Sequence, residues 1–159
     1  MKQIAAKILE NEKVATDIYK MRVESLCLAR SAKPGQFVSV RCSWKLDPLL
    51  RRPFSVHRIL KDGIEILYEV IGKGTEILSR KNRGDARDII GPLGNGFTLN
   101  PPTRKPVNSQ TILVAGGIGV APLVALAQGL AQRISKIHVL IGAKTKSQIL
   151  CENDFKKIG

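Results

Sequence analysis

Apolar and polar positions change their period once along this chain, close to residue 100. Before that point the apolar residues come in short runs separated by turn formers. Ile4–Leu9 and Ile18–Val23 are the first two runs, and Pro34-Gly35 punctuates the entry to Gln36–Val40, which alternates polar and apolar positions as a half-buried strand does. Phe54–Ile59 and Ile64–Val70 flank Lys61-Asp62-Gly63, a hairpin with Asp-Gly turn chemistry. Thr75 is expected to cap a short helix over Glu76–Ser79, and Ala86–Ile90 forms a last strand before the turn Gly91-Pro92-Leu93-Gly94. Short strands at this spacing predict an antiparallel barrel or sandwich over residues 1–99.

Residues 100–110 contain three prolines and no periodicity, which marks a linker. Beyond it, Thr111–Ala115 is a continuous apolar run of the kind that makes a fully buried parallel strand. Val120–Ile134 carries apolar residues at helical spacing, Ile137–Ile141 is a second buried strand, and Ser147–Ile158 is the candidate for a second helix. The order strand, helix, strand, helix over 111–159 predicts the start of a Rossmann-like nucleotide-binding α/β domain.

With 159 residues, 43% of them apolar, the chain can bury a core, yet no segment is long and charge-free enough to span a membrane. The N-terminal Met1-Lys2-Gln3-Ile4 shows no apolar signal segment, so the cytoplasm is the expected location. Cys27, Cys42 and Cys151 are far apart and form no C-x-x-C pair, which argues against a disulfide framework and against a cysteine-ligated metal. Neither His57 nor His138 has a carboxylate or serine at an informative spacing, so no metal cluster, acid–base site or nucleophile is assigned. A net charge of +13 calls for an acidic counterpart: nucleotide phosphates, a partner surface, or a solvated basic face. Only 4% of residues are aromatic and the basic residues are spread out, which weighs against nucleic acid.

Four motifs carry candidate chemistry. In Arg52-Pro53-Phe54-Ser55 a strand holds a guanidinium fork suited to phosphate oxygens, with Phe54 available to a ring system and Ser55 to a phosphate or ribityl oxygen. Gly72-Lys73-Gly74-Thr75 supplies bare amides and a hydroxyl at a helix start, without P-loop spacing, and Tyr68 precedes it on the strand. Gly91-Pro92-Leu93-Gly94-Asn95-Gly96-Phe97 follows. Gly116-Gly117-Ile118-Gly119-Val120-Ala121-Pro122 joins an apolar strand to a helix as a nucleotide loop does, but departs from G-x-G-x-x-G. No acidic residue ends the next strand; Gly142-Ala143-Lys144 stands there, and Lys144 tolerates a 2′-phosphate.

In this order the motifs resemble the ferredoxin-NADP reductase superfamily, most of all the electron-transfer subunits of heterodimeric dihydroorotate dehydrogenases. The resemblance implies FAD held by Arg52, Pro53, Phe54, Ser55, Leu67, Tyr68, Glu69, Gly72, Gly74 and Thr75, and a pyridine-nucleotide loop at Gly116, Gly117, Gly119, Ala121 and Pro122. It implies an electron relay from NAD(P)H through FAD and a [2Fe-2S] cluster to a catalytic dehydrogenase subunit in a hetero-oligomer serving pyrimidine biosynthesis. A reductase subunit of a hydrogenase- or transhydrogenase-like complex is the alternative within the superfamily, and a non-catalytic basic interaction module the alternative outside it. The sequence departs from the family twice. The cysteine-rich cluster segment and the later strands of the nucleotide domain are absent from these residues, so iron–sulfur ligands are lacking and NAD(P)H is expected to bind weakly. Arg87 also stands where the family places an apolar residue in a barrel strand.

Overall fold

The computed structural model describes residues 2–99, 110–131 and 136–158. Its first unit is a closed six-stranded antiparallel barrel. The strands are β1 (Lys2–Ala15), β2 (Ile18–Glu24), β3 (Phe37–Val40), β4 (Arg52–Ile59), β5 (Gly63–Glu69) and β6 (Ala86–Leu93), in the spatial order β1-β2-β5-β4-β3-β6 with β6 closing on β1. Closure removes free sheet edges. Alternate residues point inward, and Ile8, Met21, Val23, Val38, Val40, Val56, Ile64, Ile66 and Ile89 form the core. The short helix α1 (Leu26–Ser31) buries Leu28 in that core, and its first turn is capped by the Ser25 hydroxyl accepting from the Leu28 amide at 3.3 Å.

Two glycine-bearing segments fix the barrel. Gly63 lies so close to β2 that a Cβ there would stand 1.8 Å from the Val23 carbonyl oxygen, so its lack of a side chain is what lets β5 pair with β2. The Gly-Pro-Leu-Gly-Asn-Gly-Phe motif is also structural. β6 runs on through Gly91, Pro92 and Leu93 rather than ending at Ile90, because a Cβ at Gly91 would meet Val38 of β3 at 2.7 Å and its absence lets the two strands close up. Gly94 then turns the chain at φ +75°, and Phe97 settles on the Pro34-Gly35 turn, its amide donating to the Pro34 carbonyl at 2.8 Å.

Arg87, unlike a usual barrel residue, sits on the inward face of β6 opposite Ala6 and is 5% exposed. Among the described residues its guanidinium pairs with Asp85, at 3.7 Å, and its Nε has no hydrogen-bond partner. Burial lowers its pKa.

The second unit pairs β7 (Gln110–Gly116) in parallel with β8 (Lys136–Gly142). A 3₁₀ turn over Gly117–Val120 leads into α3 (Ala121–Ala131), which packs on β4 of the barrel. The expected helix over Ser147–Ile158 is instead a 3₁₀ turn, Lys146–Gln148, and a short α4 (Glu152–Lys156), interrupted at Cys151, whose φ of 63° is left-handed. The proline-rich stretch 100–109 and the end of the expected helix to Ile134 lie outside the described residues.

Neither β7 nor β8 is buried on both faces. Leu113 and Ala115 are buried, but Ile112, Val114 and Leu140 are 63%, 70% and 57% exposed, because α3 covers only one side of the pair. His138 on β8 is half-buried. The two units share a core of their own, in which Ile18 and Leu67 of the barrel meet Ala115, Val120, Ala121 and Leu150. No helix among the described residues is long and apolar enough to cross a membrane.

Candidate functional site: a cleft over the ends of two barrel strands

β4 and β5 bring the Arg52–Ser55 and Leu67–Glu69 segments to one cleft of about 650 Å³. The first turn of α2 (Lys73–Ser79) adds Gly72, Gly74 and Thr75, and Gly119, Ala121 and Pro122 of the second unit complete the wall. Three motifs far apart in sequence therefore line the same space, whose volume is that of an ordinary ligand site. Gly116 and Gly117 lie outside it. They line an adjoining cleft of about 600 Å³ with Gly142, Ala143, Lys144 and Thr145. Glu69 and Ile118 belong to both clefts.

Arg52 is fixed from below: its Nη1 donates to the carbonyls of Leu50 at 2.9 Å and Arg51 at 3.2 Å. Gly74 rests on it, and a Cβ at that position would stand 3.3 Å from both Arg52 Nε and Cys42 Sγ. The bare glycine thus brings α2's first-turn amides and the guanidinium together, a pairing suited to phosphate oxygens.

Thr75 does not cap the helix as expected. α2 begins three residues earlier, with Gly72 at the N-cap, and Thr75 occupies the third helical position. Its Oγ1 reaches back, accepting from the Ile71 amide at 3.1 Å and the Gly72 amide at 3.3 Å and donating to the Gly72 carbonyl at 2.9 Å. The hydroxyl is thereby used to shape the turn, and Gly72 brings no capping side chain to cover the amides.

The aromatic rings also differ from expectation. Phe54 and Tyr68 belong to the barrel core, with ring centroids 5.4 Å apart, and Tyr19 stacks on Tyr68 at 5.8 Å. Tyr68 is 1% exposed, its hydroxyl donates to Asn11 Oδ1 at 3.0 Å, and burial raises its pKa. Both residues line the cleft, yet most of each ring is packed in the core, Tyr68 being 1% and Phe54 9% exposed.

Asn11 is a supporting residue that sequence patterning did not single out. While accepting from Tyr68, its Nδ2 donates to the carbonyls of Leu78 and Lys81, each at 2.9 Å. This ties the C-terminal end of α2 to the barrel and so sets where Gly72–Thr75 lie. Ile71, Lys73 and Ile118 also line the cleft without having been singled out there. Ile71 carries a signal in hindsight, an 82% exposed apolar side chain beside a glycine turn.

No protein-family model matches the chain. The dihydroorotate dehydrogenase B (NAD(+)) electron transfer subunit of Desulforamulus reducens is 47% identical over 152 residues, covering 94% of this chain and 56% of that protein. The subunit of the same name from Geobacillus kaustophilus is 40% identical over 148 residues, covering 92% and 56%. The chain thus spans a little over half the length of the curated relatives it matches. Among solved structures, NADH-dependent reduced ferredoxin-NADP oxidoreductase superposes with a TM-score of 0.80 at 30% identity, covering 98% of this chain and 54% of that one. Phthalate dioxygenase reductase shares the fold, with a TM-score of 0.75 at 20% identity, covering 98% and 50%. By fold and by sequence the chain belongs to the ferredoxin-NADP reductase superfamily, where its relatives include the electron-transfer subunits of dihydroorotate dehydrogenase B.

Proposed function

We propose that this chain is the flavin-binding part of an electron-transfer subunit, one that takes electrons from NAD(P)H and passes them through FAD towards a catalytic dehydrogenase subunit in the cytoplasm. The dihydroorotate enzyme of pyrimidine biosynthesis is the assembly its named relatives favour. The observation that carries the reading is the convergence of Arg52–Ser55, Leu67–Glu69 and Gly72–Thr75 on one cleft.

The residues present fit FAD. Arg52 and the amides around Gly74 suit a pyrophosphate, since Gly74 lets the turn and the guanidinium lie close together, where a Cβ would already crowd Arg52 and Cys42 at 3.3 Å. Ser55 and the main chain of Leu67–Glu69 offer polar groups along the same wall to the rest of the cofactor. A flavin, when bound, accepts a hydride and gives up electrons singly; the chain's contribution is to place it and keep it from solvent. The adjoining cleft at Gly116, Gly117 and Lys144 suits the nicotinamide nucleotide, and Glu69 and Ile118 stand where the two would meet. In this scheme Lys144 and the lack of a carboxylate at the end of β8 leave room for a 2′-phosphate.

Flavin uptake tests the reading. The purified chain should be yellow, and FAD titrated into chain stripped of cofactor should lose fluorescence to a one-to-one end point. A colourless protein with no quenching would point to a non-catalytic basic module instead.

A further inference from the structure

The junction between the barrel and the second unit gathers chemistry-bearing side chains that line neither cleft. His57 of β4 is 1% exposed, and its Nδ1 lies 2.8 Å from the Ala121 carbonyl oxygen. A carbonyl only accepts, so Nδ1 carries the proton, and Nε2 is the ring nitrogen left with a lone pair. A ring nitrogen of His57, the Cys151 sulfur and an Asp154 carboxylate oxygen lie within 4.8 Å of one another.

Glu65 of β5 supplies an independent observation. It is 7% exposed, and its Oε1 is buried without a hydrogen-bond partner, 3.8 Å from His57 Nε2. Two acceptors thus face each other, and the Arg58 guanidinium meets the carboxylate only as an ion pair without hydrogen-bond geometry, so a shared cation would satisfy both. Arg58 does not supply that bond. Its Nε is 3.5 Å from Glu65 Oε1 and itself lacks a hydrogen-bond partner, while its Nη2 takes Asp154 Oδ1 at 2.5 Å. Asp154 keeps a second carboxylate oxygen, so it can serve Arg58 and an ion together.

We propose that His57, Cys151 and Asp154, with Glu65 as a fourth ligand, bind a divalent transition-metal ion of the zinc class that ties the barrel to the second unit. One imidazole, one thiolate and two carboxylates form a mixed donor set that suits zinc. The Nδ1–H bond from His57 to a backbone carbonyl is the outer contact that metal-bound histidines make. Two ligands come from barrel strands and two from the segment around α4, so the ion would clamp the junction.

Cobalt(II) is the probe, added to the full chain without flavin, because a cobalt–thiolate bond gives a charge-transfer absorption band. The expected result is a band that saturates at one equivalent and is displaced by zinc. It should vanish in Cys151→Ser and persist in Cys27→Ser and in Arg52→Ala, the latter separating this site from the flavin cleft. His57→Gln and Asp154→Asn should each weaken cobalt binding by about 10–100-fold or more, since losing an outer contact alone costs that much. The absence of the band in the wild-type chain, or its survival in Cys151→Ser, would overturn the proposal.

Discussion

Arg51 and Arg52 are neighbours in the sequence with opposite destinations. Arg51 pairs with the Asp88 carboxylate, and its Nη1 donates to the Asp88 carbonyl at 2.8 Å, so it braces β6. Arg52 lies under Gly74 at the cleft. Two substitutions separate the roles. Arg52→Ala should cost about 1.5–3 kcal/mol of FAD affinity, roughly ten- to a hundredfold by fluorescence titration, and leave the unfolding midpoint nearly unchanged. Arg51→Ala leaves the buried Asp88 carboxylate with only the Gln3 amide as a side-chain donor and should lower stability by about 1–3 kcal/mol in urea, less than for a fully buried pair because Arg51 is partly exposed, with FAD affinity retained. The reverse pattern would exchange the two assignments. The motif containing Arg52 was legible in sequence because a strand, a proline and a serine accompany it. That Phe54 and Tyr68 turn inward was not, since an aromatic residue on a barrel strand suits a ligand wall and a core equally well until the strand register is known.

At the scale of elements, α2 decides the geometry of the cleft. Gly74 and Thr75 in its first turn have weak intrinsic helix preference, and so the sequence pattern placed the start three residues late. Tertiary contacts supply the difference: Thr75 folds back on Gly72 at one end, and Asn11 holds the Leu78 and Lys81 carbonyls at the other. Asn11 lies 67 residues from Leu78, so no local pattern could have revealed the clamp. Asn11→Ala should remove the clamp and leave the Tyr68 hydroxyl buried without its acceptor, costing on the order of 1–3 kcal/mol of stability. Amide exchange should speed up along α2, and FAD affinity should fall because Gly72–Thr75 lose their fixed position. Unchanged exchange in α2 would show that the helix is held by other means.

Across the whole molecule, the change of period near residue 100 was a sound guide to a barrel followed by an α/β unit, because each architecture imposes its own spacing of buried residues. The continuous apolar runs of β7 and β8 were a poorer guide to burial: such runs indicate strands covered on both faces, and here one face shows Ile112, Val114 and Leu140. That face predicts concentration-dependent self-association of the 159-residue chain. Val114→Lys should weaken the association in sedimentation velocity, whereas equal behaviour of the two proteins would place the contact elsewhere. Three motifs meet at the cleft between the barrel and the start of α3. A crystal structure of the chain with FAD tests the role of that cleft most directly. The pyrophosphate is expected within hydrogen-bond distance of Arg52 and of the amides around Gly74, with the flavin along β4 and β5. A pyrophosphate beyond that distance from both, or FAD seated away from this cleft, would contradict it.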